Sequence, residues 1–305
     1  MKKFLHILLL FMVLTVVLKA QHYQHYSEYM FNGLAINPAY TGSREVLSLS
    51  LLHRDQWVGI KGAPVTQTLS IHGPLKNDKI GIGLYAYNEE IGVTRQQGFY
   101  LNYAYRIRFG SSKLAFGLKA GLDLCQSNWS DIEIVDQNDK AFESNSPIYV
   151  KPNVGAGLYF YNKKYYAGLS VPLLLTNRLE YNEKIEVSHN FKNYNTMLTA
   201  GALFKLNNSF KVKPSFLIKY HQASPMQFDL NANFIYRDIA WLGFSYRLDD
   251  AVVAILQYQI TPQLAVGYAY DYTLSELNKY GNGSHEIMIR YELGFKVKAY
   301  NPRYF

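Results

Sequence analysis

Cysteine is nearly missing from this chain. Its one copy, Cys125, excludes an intramolecular disulfide framework and a cysteine-based zinc site, and reads as a small apolar filler. Long apolar runs are missing after residue 20, so no later segment reaches the ~18–20 uninterrupted residues of a helical membrane span. Helical periodicity is missing too, apart from a short turn expected near Ser275 to Lys279. No Lys/Arg block stands out. The formal charge of +8 falls to +5 beyond residue 20, with 28 basic residues scattered against 23 acidic ones, which argues against a nucleic-acid partner.

Catalytic and metal-binding patterns are equally scarce. HExxH, paired-histidine zinc spacing, an EF-hand loop, GxGxxG, a P-loop and GxSxG do not occur. His22 and His25 lie three apart but read as a polar N-terminal stretch. Ser70 and His72 share one strand face, as any barrel with a polar inner face allows by chance. The expectation is therefore no enzyme, no cofactor and no metal.

The chain has an export-type start and a great deal of tyrosine. Lys2 and Lys3 precede an apolar run from Phe4 to Leu18, which ends at Leu18-Lys19-Ala20. At roughly fifteen residues this run is short for a spanning helix and fits a Sec signal peptide cleaved near Ala20. No cysteine follows it, so a lipoprotein anchor is not expected. Tyrosine numbers 27 and phenylalanine 17, against only 3 tryptophans. Tyrosine has an apolar body and a wet tip, suited to the boundary of lipid and water. That explains how a chain with 49% hydrophobic residues can keep a slightly negative mean hydropathy.

Alternation with period two dominates the rest. Phe99, Leu101, Tyr103, Tyr105, Ile107 and Phe109 fall on one face, and Tyr100, Asn102, Ala104, Arg106 and Arg108 on the other. Gly110-Ser111-Ser112 then separates a second segment of the same kind, running from Lys113 to Leu124. Segments of about eleven residues exceed the usual soluble strand and match a tilted bilayer crossing. The second face is small or charged, as in a barrel with apolar exterior and polar lumen. Gly81 and Gly83 fit there simply as small inward residues.

About fourteen strands are predicted, near 45–54, 65–73, 79–89, 95–109, 113–127, 152–162, 165–175, 193–206, 210–221, 226–237, 240–248, 251–260, 263–273 and 285–297. Short turns should face the periplasm and the long segments 128–151, 176–192 and 274–284 the exterior. The expected organisation is a signal peptide at 1–20, a non-strand segment at 21–43 and a barrel over 44–305. The segment 21–43 would lie at the periplasmic mouth or in the lumen. The fold class is all-β, a single transmembrane antiparallel barrel.

His53-Arg54-Asp55-Gln56-Trp57 offers two readings. Arg54 and Asp55 could pair at a docking point anchored by Trp57, or Trp57 could be an interfacial residue beside a lumen ion pair.

Around this cluster the chain is similar to a known family. Tyr29-Met30-Phe31-Asn32-Gly33-Leu34, Ile36-Asn37-Pro38-Ala39-Tyr40-Thr41-Gly42-Ser43, Arg54-Asp55-Gln56-Trp57 and Gly62-Ala63-Pro64 through Ser70 occur in order. With the terminal Pro302-Arg303-Tyr304-Phe305, they resemble the PorP/SprF family of Bacteroidota across the whole mature chain. The resemblance implies an outer-membrane component of type IX secretion, the route that exports surface proteins and gliding adhesins. It implies either core machinery, beside a periplasmic ring and peptidoglycan-binding partners, or service to one adhesin through its C-terminal sorting domain.

Family-signature positions are Asn37, Pro38, Tyr40, Gly42, Arg54, Asp55, Gln56, Trp57, Pro64, Arg303 and Phe305. Asp131, Glu133, Asp136, Asp139 and Glu143 form an acidic loop suited to a basic partner, or equally a solvated loop. The alternative function is a passive porin, with Arg106, Arg108, Lys113, Lys119, Lys211, Lys213 and Lys219 giving a basic, anion-favouring lumen.

Overall fold

The computed structural model describes residues 24–75, 78–131, 145–179, 185–188, 190, 193–222 and 224–294. Its strands are β1 (Leu47–Asp55), β2 (Val65–Pro74), β3 (Ile80–Ile91), β4 (Thr94–Phe109), β5 (Ser112–Ser127) and β6 (Tyr149–Tyr161). They continue as β7 (Tyr165–Val171), β8 (Thr176–Leu179), β9 (Ile185–Ser188), β10 (Thr196–Ala202), β11 (Phe204–Lys205) and β12 (Phe210–Tyr220). The last five are β13 (Gln227–Tyr236), β14 (Ala240–Arg247), β15 (Ala251–Gln259), β16 (Leu264–Thr273) and β17 (Ser284–Leu293).

Each barrel strand pairs antiparallel with its neighbour, and β1 closes on β17 from Leu47↔Leu293 to Asp55↔His285. β10 pairs with both β7 and β12, which completes a ring of fourteen strands. Closure leaves no unpaired edge in hydrocarbon, where an orphaned peptide group would cost several kcal/mol. Every predicted strand is found.

Three details differ from the sequence reading. The segment 193–206 breaks at Leu203, whose N–H turns to the Lys164 carbonyl, so Phe204–Lys205 forms the separate β11. The loop 176–192 contains an isolated hairpin, β8 with β9, outside the ring. Arg108, expected in the lumen, instead reaches the short-turn rim and pairs there with Asp78.

Alternation decides what faces lipid. On β4, Phe99, Leu101, Tyr103, Tyr105, Ile107 and Phe109 are exposed, while Tyr100, Asn102, Ala104 and Arg106 are buried. The two faces also differ in the size of their side chains. Glycines on β3, β5 and β6 bring the wall inward, and a 960 Å³ apolar furrow runs across its outer side past Ile82, Leu101, Leu118 and Val154.

All the long connections lie at one end. That end carries 56–64, 128–148, 172–195 and 274–283 together with the shorter 92–93, 221–226 and 248–250; the other carries 75–79, 110–111, 162–164, 203–209, 237–239 and 260–263. By the rule for such barrels, the short-turn end faces the periplasm. A single 3₁₀ turn, Glu276–Lys279, lies in the last long loop, where a turn was expected.

Candidate functional site: a lumen filled by the N-terminal segment

No strand-forming pattern exists between Gln24 and Val46, and that stretch is what occupies the bore. It runs from the long-loop mouth, where the Gln24 amide donates to Glu89, to the short-turn mouth, where Arg44 pairs with Glu292. Two 3₁₀ turns, Gly33–Ala35 and Pro38–Tyr40, compact it. Such tight turns let a segment without strand or helix bury its apolar side chains. Tyr26, Tyr29, Phe31, Leu34, Ile36 and Tyr40 are all at most 5% exposed.

The upper part is held by charge. Arg54 projects inward from β1 and donates to Asp271 at 2.8 Å and Glu286 at 3.1 Å, from strands β16 and β17. The same guanidinium donates to the Ser27 hydroxyl at 3.0 Å. Ser27 in turn donates its hydroxyl to Asp271 at 2.7 Å and its N–H to Glu286 at 2.9 Å. Arg247 joins from β14, with Asp271 at 3.2 Å and Asp229 at 3.4 Å. Two guanidiniums and two carboxylates thus meet at one serine of the N-terminal segment, with Asp229 bracing Arg247 behind them. Glu28 lies beside them with its N–H donated to Glu286 at 2.6 Å.

The middle is aromatic and amide-bound. Phe31 meets Trp241 edge-on at 5.2 Å, and the Tyr29 hydroxyl accepts from Asn231 of β13. Ser70 donates to the Asn32 side chain at 2.8 Å, and Ser170 to the Ile36 carbonyl at 2.7 Å.

The lower part rests on glycine. Asn37 caps the second 3₁₀ turn by accepting from the Ala39 N–H, and donates across to the Leu158 carbonyl of β6, each at 2.9 Å. A β-carbon at Gly117 would stand 2.0 Å from the Ala39 nitrogen, one at Gly157 2.1 Å from Asn37 Oδ1, and one at Gly81 2.3 Å from the Thr41 carbonyl oxygen. Only glycine lets the segment lie this close to β3, β5 and β6. Tyr40 stands edge-on between His72 and Tyr159, each 5.5 Å away. Gly42, at φ +72°, turns the chain and donates its N–H to His72 Nδ1 at 2.9 Å. Arg106 then closes on the Thr41 carbonyl at 2.7 Å.

The sequence-predicted residues divide accordingly. Asn37, Pro38, Tyr40 and Gly42 all belong to the lumen segment, and Arg54 belongs to its clamp. Arg54 does not pair with Asp55. Adjacent residues of a strand face opposite sides, so Asp55 lies outside and meets His53 at 3.1 Å. Gln56, Trp57 and Pro64 shape the first long connection: the Gln56 N–H donates to the Pro64 carbonyl, and Trp57, at φ +49°, donates its N–H to Ser284. Asp131 ends a 3₁₀ turn, Trp129–Asp131, in the long loop. Glu133, Asp136, Asp139, Glu143, Arg303 and Phe305 lie outside the described residues, as do residues 1–20, expected to be a signal peptide.

The inward lysines meet aromatic faces rather than an open bore. Lys119 lies 4.1 Å from the Tyr100 ring centroid, and Lys213 5.4 Å from that of Tyr166. Lys113 and Lys211 pair with Glu45 and Asp238. Ser70 and His72 spend their polar atoms on Asn32 and Gly42. Among the described residues no group of three or more His, Cys, Asp or Glu side chains is arranged to hold a metal ion.

Sequence reasoning missed Ser27, Asp229, Arg247, Asp271 and Glu286 as a functional group. The available signal was parity, since each of the last four is a buried charge on the inward face of its strand, with less buried residues on either side.

Fold and lumen together define an integral β-barrel of the outer membrane, closed from within by its own N-terminal segment. Residues 18–291 match the family described as "Type IX secretion system membrane protein PorP/SprF", and the chain belongs to that family. Membership implies association with the secretion machinery. No curated protein matches the chain. Among solved structures, the CymD monoaromatic hydrocarbon channel is similar at 13% identity and TM-score 0.51, covering 90% of this chain and 94% of that one. Omp33 of Acinetobacter baumannii is similar at 7% identity and TM-score 0.48, covering 82% and 98%. At such identities the likeness concerns the barrel fold alone.

Proposed function

We propose that this chain is a non-enzymatic docking component of type IX secretion, working by binding at its two ends rather than by passing solutes through its bore. The observation that carries this reading is the filled lumen. A diffusion channel of this size needs an open path, whereas residues 24–46 are clamped to strands around the whole ring, from Arg54 and Glu286 above to the glycine floor below. The filled bore gives the barrel a stiff body on which loops can be presented.

The partners are those the family implies. At the short-turn end they are secretion components or a peptidoglycan-binding periplasmic protein. At the long-loop end they are the C-terminal sorting domain of a secreted adhesin or other cargo, met by the loops that include 128–151 and 176–192. Export by the Sec route, with cleavage near Ala20, delivers the chain to this site, and gliding motility is the process such cargo would serve.

A tagged copy crosslinked in cells and purified from outer membrane tests the reading. It should recover secretion-system proteins or a sorting domain in amounts above those of an unrelated barrel expressed at the same level. Recovery of neither would remove the docking role.

A further inference from the structure

The short-turn rim carries an uneven charge. Among the described residues its acidic side chains are paired: Glu45 with Lys113, Asp78 with Arg108, Asp238 with Lys211 and Glu292 with Arg44. Lys163, Lys164 and Lys205 are exposed and have no acidic partner among the described residues; Arg237, also exposed, stacks on the Tyr236 ring at 5.3 Å.

These four cations lie on consecutive turns. The Lys164 carbonyl accepts from Leu203, and the Ser209 carbonyl from Arg237, each at 2.7 Å, so the turns 162–164, 203–209 and 237–239 are tied into one ledge. From the β6–β7 turn to the β13–β14 turn the ledge spans five strand spacings, roughly 24 Å. The turn at 260–263, Ile-Thr-Pro-Gln, carries no charge at all. The positive arc therefore ends on that side, while the turn 75–79 across the rim carries Lys79 beside Asp78.

Just beside the ledge the outer wall presents Tyr165, Phe204, Phe210 and Tyr236, each more than 40% exposed. Exposed rings of this kind mark the level where hydrocarbon gives way to headgroups. The turns are too short to lift the lysines far from that level.

We propose that this arc binds the phosphates of anionic phospholipids in the adjoining leaflet, with Lys163, Lys164 and Lys205 as the principal contacts. Lysine is a compact cation that suits a phosphate approached from several directions, and a fixed row of such charges near a bilayer selects anionic over zwitterionic headgroups. An acidic protein surface is the competing occupant. The level of the ledge with the aromatic band favours lipid.

The test compares the full chain with K163E/K164E/K205E in micelles doped with equal phosphatidylglycerol and phosphatidylcholine, counting retained lipids by native mass spectrometry. The wild-type chain should retain phosphatidylglycerol in preference by on the order of tenfold. The variant should retain both alike, with K163Q/K164Q/K205Q in between, and excess inorganic phosphate should not displace the lipid. The temperature at which each barrel loses its folded gel mobility checks that all three are folded. Equal retention by wild type, or an unchanged preference in a folded variant, overturns the proposal. A variant that keeps the preference but loses an acidic protein from the purified outer-membrane complex would reassign the arc to that protein.

Discussion

Replacing Arg54 by alanine should release the upper part of the lumen segment and lower barrel stability by about 3–5 kcal/mol, the cost of removing one partner from a buried ion pair. The guanidinium is 2% exposed and sits between Asp271 and Glu286, so its loss leaves two carboxylates facing each other without water. Ser27 would lose one of the groups that fix it, while Asp271 and Glu286 would be driven to take up protons or part. Arg247 can compensate for only part of this, because it also answers to Asp229 and Asp250. Arg54→Lys should recover little of the loss, since one ammonium cannot span three acceptors as the planar fork does. The effect is read by a cysteine placed at position 35, buried in the lumen segment outside the clamp, in a Cys125→Ala background. It should resist a membrane-impermeant maleimide when Arg54 is present and react when it is absent. Equal protection in both would show that the clamp does not hold the segment.

Gly117→Leu should have an effect at least as large by a different route. Its β-carbon alone would fall 2.0 Å from a backbone nitrogen of the lumen segment, where no side-chain rotation can relieve the clash. Ordinary overpacking of a core costs roughly 1–3 kcal/mol, and here a whole turn at Pro38–Tyr40 must shift. The expected outcome is a barrel whose segment is displaced at the short-turn mouth, seen as new protease cleavage near residues 37–42 and a lowered temperature of mobility loss. Ala120→Leu is the control, on the same strand but facing out, and should change neither readout. If Gly117→Leu behaved like that control, the close approach of Ala39 to β5 would be wrong.

These two positions also show what the sequence could and could not say. Strand number and sidedness were legible because lipid imposes one rule on every exterior residue, and period-two alternation records it locally. The lumen is different. Arg54 meets Glu286 across 232 positions of sequence, and no local pattern states which inward acid will lie beside it. Alternation did show that Arg54 and Asp55 must part company, a point the expected Arg54–Asp55 pair overlooked. Gly117 and Gly157 read as small inward residues, which was true, but the reason is the backbone of 37–41 pressed against them. The family motif Asn37-Pro38-Ala39-Tyr40-Thr41-Gly42 was visible as a motif; that it is the part of the segment seated on glycine required the third dimension. The break at Leu203 and the hairpin of β8 and β9 were hidden because short irregular stretches carry too few residues for a period to emerge.

The bore is closed by the chain itself, and conductance across a planar bilayer reads that closure without an intermediary. The intact protein should show no large steady channels, while a variant lacking residues 24–42 should open them, since the fourteen-stranded ring remains and its filling is gone. Large, steady conductance from the intact protein, equal to that of the shortened one, would contradict the account and return the barrel to the porins.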